Sequence, residues 1–341
     1  MLNDPKLKQA YQMMRAASHI LFVAHLRPDG DALSSVCALR LCAASMDKKS
    51  QAFCQDKNSV MFDYLPGFAD IADNINDIKK LDQISDGLIE AFDLIIVCDC
   101  GSLARTALTK EIKEFKEAGG KIIEFDHHPQ VDDYADLEIR NPEISSTSEL
   151  VYNFIAANNI TFTREMADCV LTGILTDTGN FLYPSATDAT MKAASASLAA
   201  GAHYAKIVAY TLRNKDMTVI KLWGLALGRL RLNKKYQIAV SVLGRADIDA
   251  VLKAGNVDNA AESELFSGLA GFLSNMAGAK AILLLYEDRN GMIRGSLRST
   301  ANGMFVDKLA RALGGGGHER AAGFAFPGKL IKDGPNWRVI N

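Results

Sequence analysis

Three short apolar segments in the first half of the chain each end in charged or imidazole side chains. HILFVAH (19–25), FDLIIVCD (92–99) and KIIEFD (121–126) are rich in β-branched and aromatic residues, as buried strands are. Helical spacing lies between them, in residues 31–46 and 103–119. This alternation predicts a parallel sheet with helices on both faces. Ligands bind such sheets at the carboxyl ends of the strands, and that edge constrains the rest of the interpretation.

The side chains that follow these strands are typical ligands for hard divalent cations. They are His25, Asp29 and Asp31 after the first strand, Asp99 after the second, and Asp126, His127 and His128 after the third. Asp177 follows a further predicted helix, 164–176. Carboxylates with a minority of imidazoles favour Mn²⁺, with Mg²⁺ or Co²⁺ as alternatives. We therefore expect two cations here, which can activate water and neutralise the charge on a phosphoryl group.

The second half of the chain predicts a smaller α/β region that follows a helical stretch at 186–225. Its segments are a strand at 236–244, a helix at 261–276, strands at 279–288 and 292–299, and a helix at 306–313. The sequence GGGGHERAAGF (314–324) comes directly after the last helix. A flexible linker would not continue into this specific set of residues, so we interpret the glycine run as part of a binding site.

Four segments of the first half resemble the motifs of a known family. HLRPDGDA, VCDCG, DHH and TDTGNF closely resemble, in order and spacing, the four motifs of the DHH phosphoesterases. GSLRS and GGGGHERAAGF resemble the signature of the DHH-associated second domain. The resemblance covers nearly the whole chain and is greatest to the NrnA-like group. It implies a DHH catalytic domain at 1–185, a helical linker at 186–225 and a DHH-associated substrate-binding domain at 226–341.

The resemblance also implies roles for individual residues in the first domain. One cation would be held by His25, Asp29 and Asp99, and the second by Asp31, Asp99, His127 and Asp177. Asp99 would therefore bridge the two cations. His128 would face the substrate phosphate and Asp126 would orient the histidine pair, so Asp99, Asp126 and His128 are the expected catalytic residues.

The second domain would bind the other end of the substrate. Its expected contacts are Arg298, the loop formed by Gly314, Gly315, Gly316 and Gly317, and His318. Backbone N–H groups of a glycine loop can bind a phosphate, and glycine lets the backbone approach a ligand closely. The implied activity is hydrolysis of short oligoribonucleotides (nanoRNA) and of 3′-phosphoadenosine 5′-phosphate (pAp) to mononucleotides, with the second domain limiting substrate length across a cleft.

Several other functions stay open at this point. A phosphodiesterase of linear or cyclic dinucleotides would use the same groups. A pyrophosphatase or polyphosphatase is disfavoured by the glycine-rich signature, and a long-strand exonuclease would need additional DNA-binding modules. A non-catalytic nucleotide sensor would be expected to have lost at least one ligand, and none is missing.

The composition excludes other classes of protein. No apolar run approaches the roughly 20 residues that cross a bilayer, so no membrane partner is expected. The polar N-terminus is not typical of a signal peptide, and the six cysteines lack pair spacing, so we expect reduced thiols in a cytoplasmic protein.

The first 225 residues are acidic and the remainder is basic, although the net charge is only −2. This asymmetry suits cations in one half and a phosphate-bearing partner in the other, unless it is only uneven surface charge. The oligomeric state is open, with a homodimer as one option.

Overall fold

The computed structural model describes residues 4–57, 60–81, 91–213, 215–255, 265–266, 268–300, 304–334 and 336–340. The chain divides into two compact units, Met1–Asn214 and Lys215–Asn341. Within the described ranges, no helix combines the length and apolarity that a membrane span requires. All six cysteines are buried and free.

The first unit is built around a sheet of six strands. These are β1 (His19–Val23), β2 (Lys49–Phe53), β3 (Ile71–Ala72), β4 (Leu94–Cys98), β5 (Lys121–Asp126) and β6 (Leu137–Arg140). Its helices are α1 (Pro5–Ala16), α2 (Gly30–Ser45), α3 (Ile75–Leu81), α4 (Thr109–Glu117), α5 (Thr147–Ala157), α6 (Arg164–Asp177), α7 (Asp188–Ala199) and α8 (Tyr204–Thr211). The strands are parallel throughout, in the order β3-β2-β1-β4-β5-β6. The predicted parallel sheet is confirmed.

Side chains of β1 alternate between two separate apolar cores. Ile20 and Phe22 pack in a core with residues of α1, α2, α5 and α6. Leu21 and Val23 pack in the other core, with residues of α3 and α4. Because successive residues of a strand point to opposite faces, helices cover both sides of the sheet, as predicted. The strand order reverses between β1 and β4, the point at which such sheets form a crevice.

The segment predicted as one helix, 103–119, is divided in the structure. A 3-10 turn runs from Leu103 to Thr106, Ala107 has a positive φ of 60°, and α4 begins at Thr109. The carbonyl of Arg105 accepts a hydrogen bond from Leu26 N at 2.7 Å. That tertiary contact uses an acceptor that a continuous helix would need for its own i→i+4 bond, and the helix therefore restarts only at Thr109.

The second unit contains a mixed sheet and a separate hairpin. Its elements are α9 (Met217–Gly228), β7 (Arg231–Asn233), β8 (Ile238–Leu243), α10 (Arg245–Ala254), α11 (Leu269–Leu273), β9 (Ala281–Glu287), β10 (Met292–Ser299), α12 (Val306–Ala312), β11 (Gly316–His318), β12 (Ala321–Pro327), β13 (Lys329–Asp333) and β14 (Asn336–Ile340). The sheet order is β11-β12-β10-β9-β8-β7, with β8 and β9 parallel. The second α/β sheet is confirmed. The predicted helix at 261–276 lies partly outside the described residues.

The helices of the predicted linker, 186–225, are divided between the two units. Ala194 of α7 and Ile207 of α8 pack against Leu171 and Leu175 of α6, inside the first unit. Leu222 of α9 belongs to the apolar core of the second unit instead. The helices of this stretch therefore complete the cores on either side. The functional division into catalytic, linking and substrate-binding parts stays a prediction.

Helices α2 and α6 lie close together because glycine occupies their contact. A Cβ on Gly173 of α6 would lie 1.9 Å from Ser148 Oγ and 2.5 Å from Asp31 Oδ1. A Cβ on Gly30 of α2 would lie 2.5 Å from Thr176 Oγ1. Neither position can accommodate a methyl group without movement of its neighbours.

Gly173→Ala should lower the free energy of unfolding by about 1–3 kcal/mol through overpacking, although alanine is the better helix former. Gly224→Ala in α9 is the matched control, because its added Cβ meets no described atom within 4 Å. The control should raise stability by about 0.4–1 kcal/mol. Chemical denaturation of both variants checks the pair, and a Gly173→Ala protein as stable as the wild type would contradict the packing argument.

Candidate metal centre

The loops after β1, β4 and β5 and the end of α6 bring the six predicted metal ligands together. One ligand atom each from His25, Asp29 and Asp99 lies within 4.8 Å of the others. A second group, from Asp31, His127 and Asp177, meets the same limit. These residues come from positions 25 to 177 of the sequence, and the parallel sheet aligns their loops at one edge.

Asp99 lies between the two groups. Its Oδ2 is 3.7 Å from His25 Nε2, and its Oδ1 is 3.5 Å from His127 Nε2. The residue has a positive φ of 60°, and its N–H donates to the Phe125 carbonyl at 2.8 Å. The two oxygens of one buried carboxylate thus face two different imidazoles, as a bridging ligand requires.

His25 and Asp29 complete the first group, with Asp99. Asp29 caps α2, because its Oδ1 accepts from the N–H groups of Asp31 and Ala32 at 3.0 Å each. Its Oδ2 lies 3.9 Å from His25 Nε2. His25 Nδ1 donates to the Leu26 carbonyl at 2.8 Å, which leaves the lone pair on Nε2. That Nε2 is buried and has no hydrogen-bond partner among the described residues, and a cation at this position would satisfy it.

The second group is anchored on the N-terminus of α5. Both oxygens of Asp31 accept backbone hydrogen bonds there, from Thr147 N at 2.6 Å and Ser148 N at 2.9 Å. The same Asp31 lies 3.9 Å from His127 Nε2, and Asp177 Oδ2 lies 3.2 Å from it. The N–H groups and dipole of the helix stabilise the buried charge of Asp31.

Asp126 fixes the orientation of His128. Its Oδ1 accepts from His128 Nδ1 and from His128 N, each at 2.8 Å. Its Oδ2 accepts from Gly101 N at 2.5 Å and lies 3.3 Å from Arg140 Nη1. Arg140 also donates to the His128 carbonyl at 2.7 Å and forms an ion pair with the buried Glu124. The whole loop is therefore held by charged groups behind it.

Burial and like charges raise the pKa of two carboxylates in the centre. Burial, followed by the neighbouring carboxylates, raises the pKa of Asp31 and of Asp177 well above its usual value. Burial also acts on Asp99, but the surrounding imidazoles, His128 first, outweigh it and hold the pKa of Asp99 well below its usual value. The centre thus contains excess negative charge that a cation would stabilise.

The two adjacent histidines have opposite shifts. Burial lowers the pKa of His127, so this imidazole is neutral and can bind a cation. Burial also opposes the charge on His128, but its hydrogen bonds to Asp126 and Asp99 raise the pKa of His128 to about 11. One histidine suits a metal ligand and the other a positively charged donor.

A pair of divalent cations fits this donor set. Carboxylate oxygens outnumber imidazole nitrogens, which suits hard cations. Cys98 and Cys100 flank Asp99, but burial raises the pKa of both thiols well above the usual value. Protonated thiols are poor ligands, in agreement with their interpretation as small buried apolar residues.

The predicted substrate residues of the second unit lie around β11. Arg298 of β10 and His318 of β11 both pair with Ala321 of β12, so their backbones lie at the same level of the sheet. A Cβ on Gly315 would lie 2.1 Å from the Gly323 carbonyl, and a Cβ on Gly317 would lie 2.5 Å from the Ala321 carbonyl. Strand packing alone therefore requires these two glycines. Within the described part of the chain, a Cβ on Gly314 or Gly316 would meet nothing within 4 Å, and the role of the loop in binding stays a prediction.

Comparison with known protein families matches two segments of the chain. The pattern of the DHH family, N-terminal domain, matches residues 19–174, and the DHHA1 domain matches residues 235–333. The chain belongs to the DHH family. In this chain, the segment that matches the DHH domain contains β1, β4 and β5 with their loops. The segment that matches the DHHA1 domain contains Arg298 and the glycine loop.

Relatives of this DHH-family chain cover nearly its full length. It is 28% identical over 310 residues to the bifunctional oligoribonuclease and PAP phosphatase NrnA of Bacillus subtilis, covering 89% of this chain and 88% of that protein. It is 24% identical to the protein of the same name from Thermus thermophilus, covering 95% and 89%. An exopolyphosphatase-related protein from Bacteroides fragilis superposes with a TM-score of 0.80 at 26% identity, covering 95% and 92% of the two chains.

The sequence motifs did not identify the residues that support the proposed metal ligands Asp31 and Asp99. Besides its N–H bond to Asp31, Thr147 donates its Oγ1 proton to Asp99 Oδ1 at 2.8 Å. A signal was present in SSTSELV, where Ser146 caps α5 and accepts from Glu149 N at 3.1 Å. That S-x-x-E pattern marks a helix start. Its proximity to the carboxylates depends on contacts between distant parts of the chain.

Thr147→Val should weaken Mn²⁺ binding about 10–100-fold, because it removes the hydroxyl that orients Asp99 while keeping the side-chain shape. The backbone bond to Asp31 is unaffected. Thr147→Ser keeps the hydroxyl and is the matched control, with an affinity near that of the wild type. Calorimetric titration with MnCl₂ measures both variants. Wild-type affinity in the valine variant would show that the hydroxyl does not support the ligand.

Mn²⁺ affinity should rise with pH, because Asp31 and Asp177 have raised pKa values and hold protons that the cation must displace. His25 acts in the same direction: burial opposes its charge, but Asp99 and Asp29 outweigh burial and raise its pKa. Titration at about pH 6 and about pH 8, in buffers of different ionisation enthalpy, should show proton release. Asp177→Asn cannot titrate and should release fewer protons. An affinity that is constant or falls with pH would contradict these assignments.

Proposed function

We propose that this protein is a two-metal phosphoesterase that hydrolyses short oligoribonucleotides and pAp to mononucleotides, with Mn²⁺ as its cation. The observation that carries the proposal is the position of Asp99, whose two oxygens face His25 and His127 in separate ligand groups. A carboxylate placed in this way would suit a pair of divalent cations, which would supply Lewis acidity and stabilise the charge on a phosphoryl group.

The relatives support the substrate class. The proteins of Bacillus subtilis and Thermus thermophilus are both named as bifunctional oligoribonucleases and PAP phosphatases, and both are matched over most of their length. All six proposed ligands, His25, Asp29, Asp31, Asp99, His127 and Asp177, are present and grouped in space. This completeness supports an enzyme over a non-catalytic sensor.

The chain's own residues would position the ester and donate a proton. Bound cations would supply Lewis acidity and an activated water molecule. His128, held by Asp126 at 2.8 Å, would donate from its imidazolium to a phosphate oxygen or to the leaving oxygen. Asp126 would keep the ring in one orientation, because Gly101 N and Arg140 fix that carboxylate from behind.

The second unit would bind the remainder of the substrate through Arg298, the Gly314–Gly317 loop and His318. The match of the DHHA1 domain to residues 235–333 supports this assignment. The excess of basic residues in the second half favours a phosphate-bearing ligand. A cytoplasmic location is part of the proposal, supported by six cysteines that are all free.

The test is turnover by the purified Mn²⁺-loaded protein on pAp and on 5′-labelled RNAs of two to ten nucleotides. We expect release of phosphate from pAp and of mononucleotides from RNA. Asp99→Ala should lower both rates by at least about 10²-fold, because it removes the bridging ligand. Asp63→Asn, which changes an exposed carboxylate of the same unit, is the control and should retain wild-type rates.

The contradicting outcomes are distinct. Asp99→Ala activity within a few-fold of the wild type would reject the two-metal assignment. Rapid hydrolysis of dinucleotides with neither pAp nor longer RNA consumed would indicate a dinucleotide phosphodiesterase instead. Nucleotide binding with no turnover of any of these compounds would indicate a sensor.

A further inference from the structure

Arg105 is a charged residue beside the metal centre that has no anionic partner in the part of the chain described. It lies in the 3-10 turn Leu103–Thr106 and is half-buried. Its guanidinium makes no ion pair or hydrogen bond with any described residue. Arg140, at the end of β6, instead contacts Glu124, Asp126 and Glu138. The two arginines therefore differ in whether the protein neutralises them.

The guanidinium of Arg105 and the ring of His128 both border the space that a side chain at residue 101 would occupy. The position that a Cβ on Gly101 would occupy is 3.4 Å from Arg105 Nη1 and 3.5 Å from both Cβ and Cγ of His128. Since residue 101 is glycine, no side chain from this position separates the two groups. The positive charge of Arg105 also acts on the metal centre by coulombic repulsion, because it opposes the rise in the pKa of His25.

The backbone that carries Arg105 is fixed to the loops of the centre. Its carbonyl accepts from Leu26 N, the residue after His25, at 2.7 Å. Its own N–H donates to the Ser102 carbonyl at 3.1 Å, and Leu103 N donates to Asp132 Oδ2 at 2.9 Å. The backbone that positions Arg105 is therefore fixed before any ligand arrives.

We propose that Arg105 binds the phosphoryl group under attack, together with His128. This inference rests on the proposed function and adds a residue to it. Four carboxylates, Asp29, Asp31, Asp99 and Asp177, would be balanced in charge by two divalent cations. The charge of His128 is paired with Asp126, so the positive charge left over belongs to Arg105. A planar guanidinium matches two non-bridging oxygens of a phosphate, and it stabilises the charge that they carry during transfer.

The test compares Arg105→Gln with Arg105→Lys in the full-length Mn²⁺-loaded protein. On pAp and on the generic diester bis(p-nitrophenyl) phosphate, Arg105→Gln should lower kcat/KM by about 10²-fold. Inorganic phosphate should bind about tenfold more weakly, as a competitive inhibitor and in titration of the Mg²⁺-loaded protein. Arg105→Lys should recover part of both effects, because it retains the charge but not the paired donors.

Cation binding and folding separate this role from a structural one. Arg105→Gln should bind Mn²⁺ as tightly as the wild type or more tightly, because a positive charge has been removed nearby. Its thermal midpoint should stay close to the wild-type value. Lys113→Gln, an exposed cation on α4, is the matched control and should leave phosphate affinity and turnover unchanged.

Three results would overturn the assignment. Phosphate affinity and kcat/KM within about twofold of the wild type would show that Arg105 does not touch the phosphoryl group. Weaker Mn²⁺ binding in Arg105→Gln would show that it acts through the ligands. A loss confined to RNAs longer than a dinucleotide would place it at a flanking phosphate. Phosphate binding and the generic diester need no nucleotide, so they test Arg105 even if pAp and RNA prove not to be substrates.

Discussion

The metal centre depends on holding carboxylates together in a place where water cannot screen them. Asp31 and Asp99 are 0% and 1% exposed, and they belong to groups that share His127 as a neighbour. Buried like charges repel strongly, and each also loses its hydration. The fold offsets this cost for Asp31 with two N–H groups of α5, and for Asp99 with imidazoles and the Thr147 hydroxyl. The remaining imbalance is the thermodynamic basis for binding cations.

The topology of the first unit explains how residues so far apart in sequence reach one point. β1 and β4 are neighbours in the sheet although β2 and β3 come between them in the chain. Their loops therefore meet, and β5 adds the DHH loop next to β4. Close packing of α2 on α6, which Gly30 and Gly173 permit, brings Asp31 and Asp177 into one ligand group. The arrangement follows from strand order and from small residues at one helix contact.

The sequence predicted the central strands and the ligand residues, because both leave local signals. β1, β4 and β5 are apolar runs buried from nearly end to end, and their terminal acids and histidines are visible as motifs. Strand β2 and the edge strand β6 are only partly buried, so their patterns are weak. The division of the 103–119 helix depends on Leu26, and the support of Asp31 by Thr147 spans 116 residues. Such long-range hydrogen bonds leave no periodic pattern in either partner.

The charge balance of the centre also sets the order in which ligands can bind. Without cations, the ionised carboxylates among Asp29, Asp31, Asp99 and Asp177 would repel a phosphate, and the positive charge of His128 is engaged by Asp126 and Asp99. Two divalent cations would cancel four carboxylates, and the local field would then change from repelling an anion to attracting one. A phosphate-bearing substrate would therefore bind well only after the cations. In this arrangement the raised pKa values of Asp31 and Asp177 and the binding of an anionic substrate have the same origin, which is the surplus of negative charge that the fold confines.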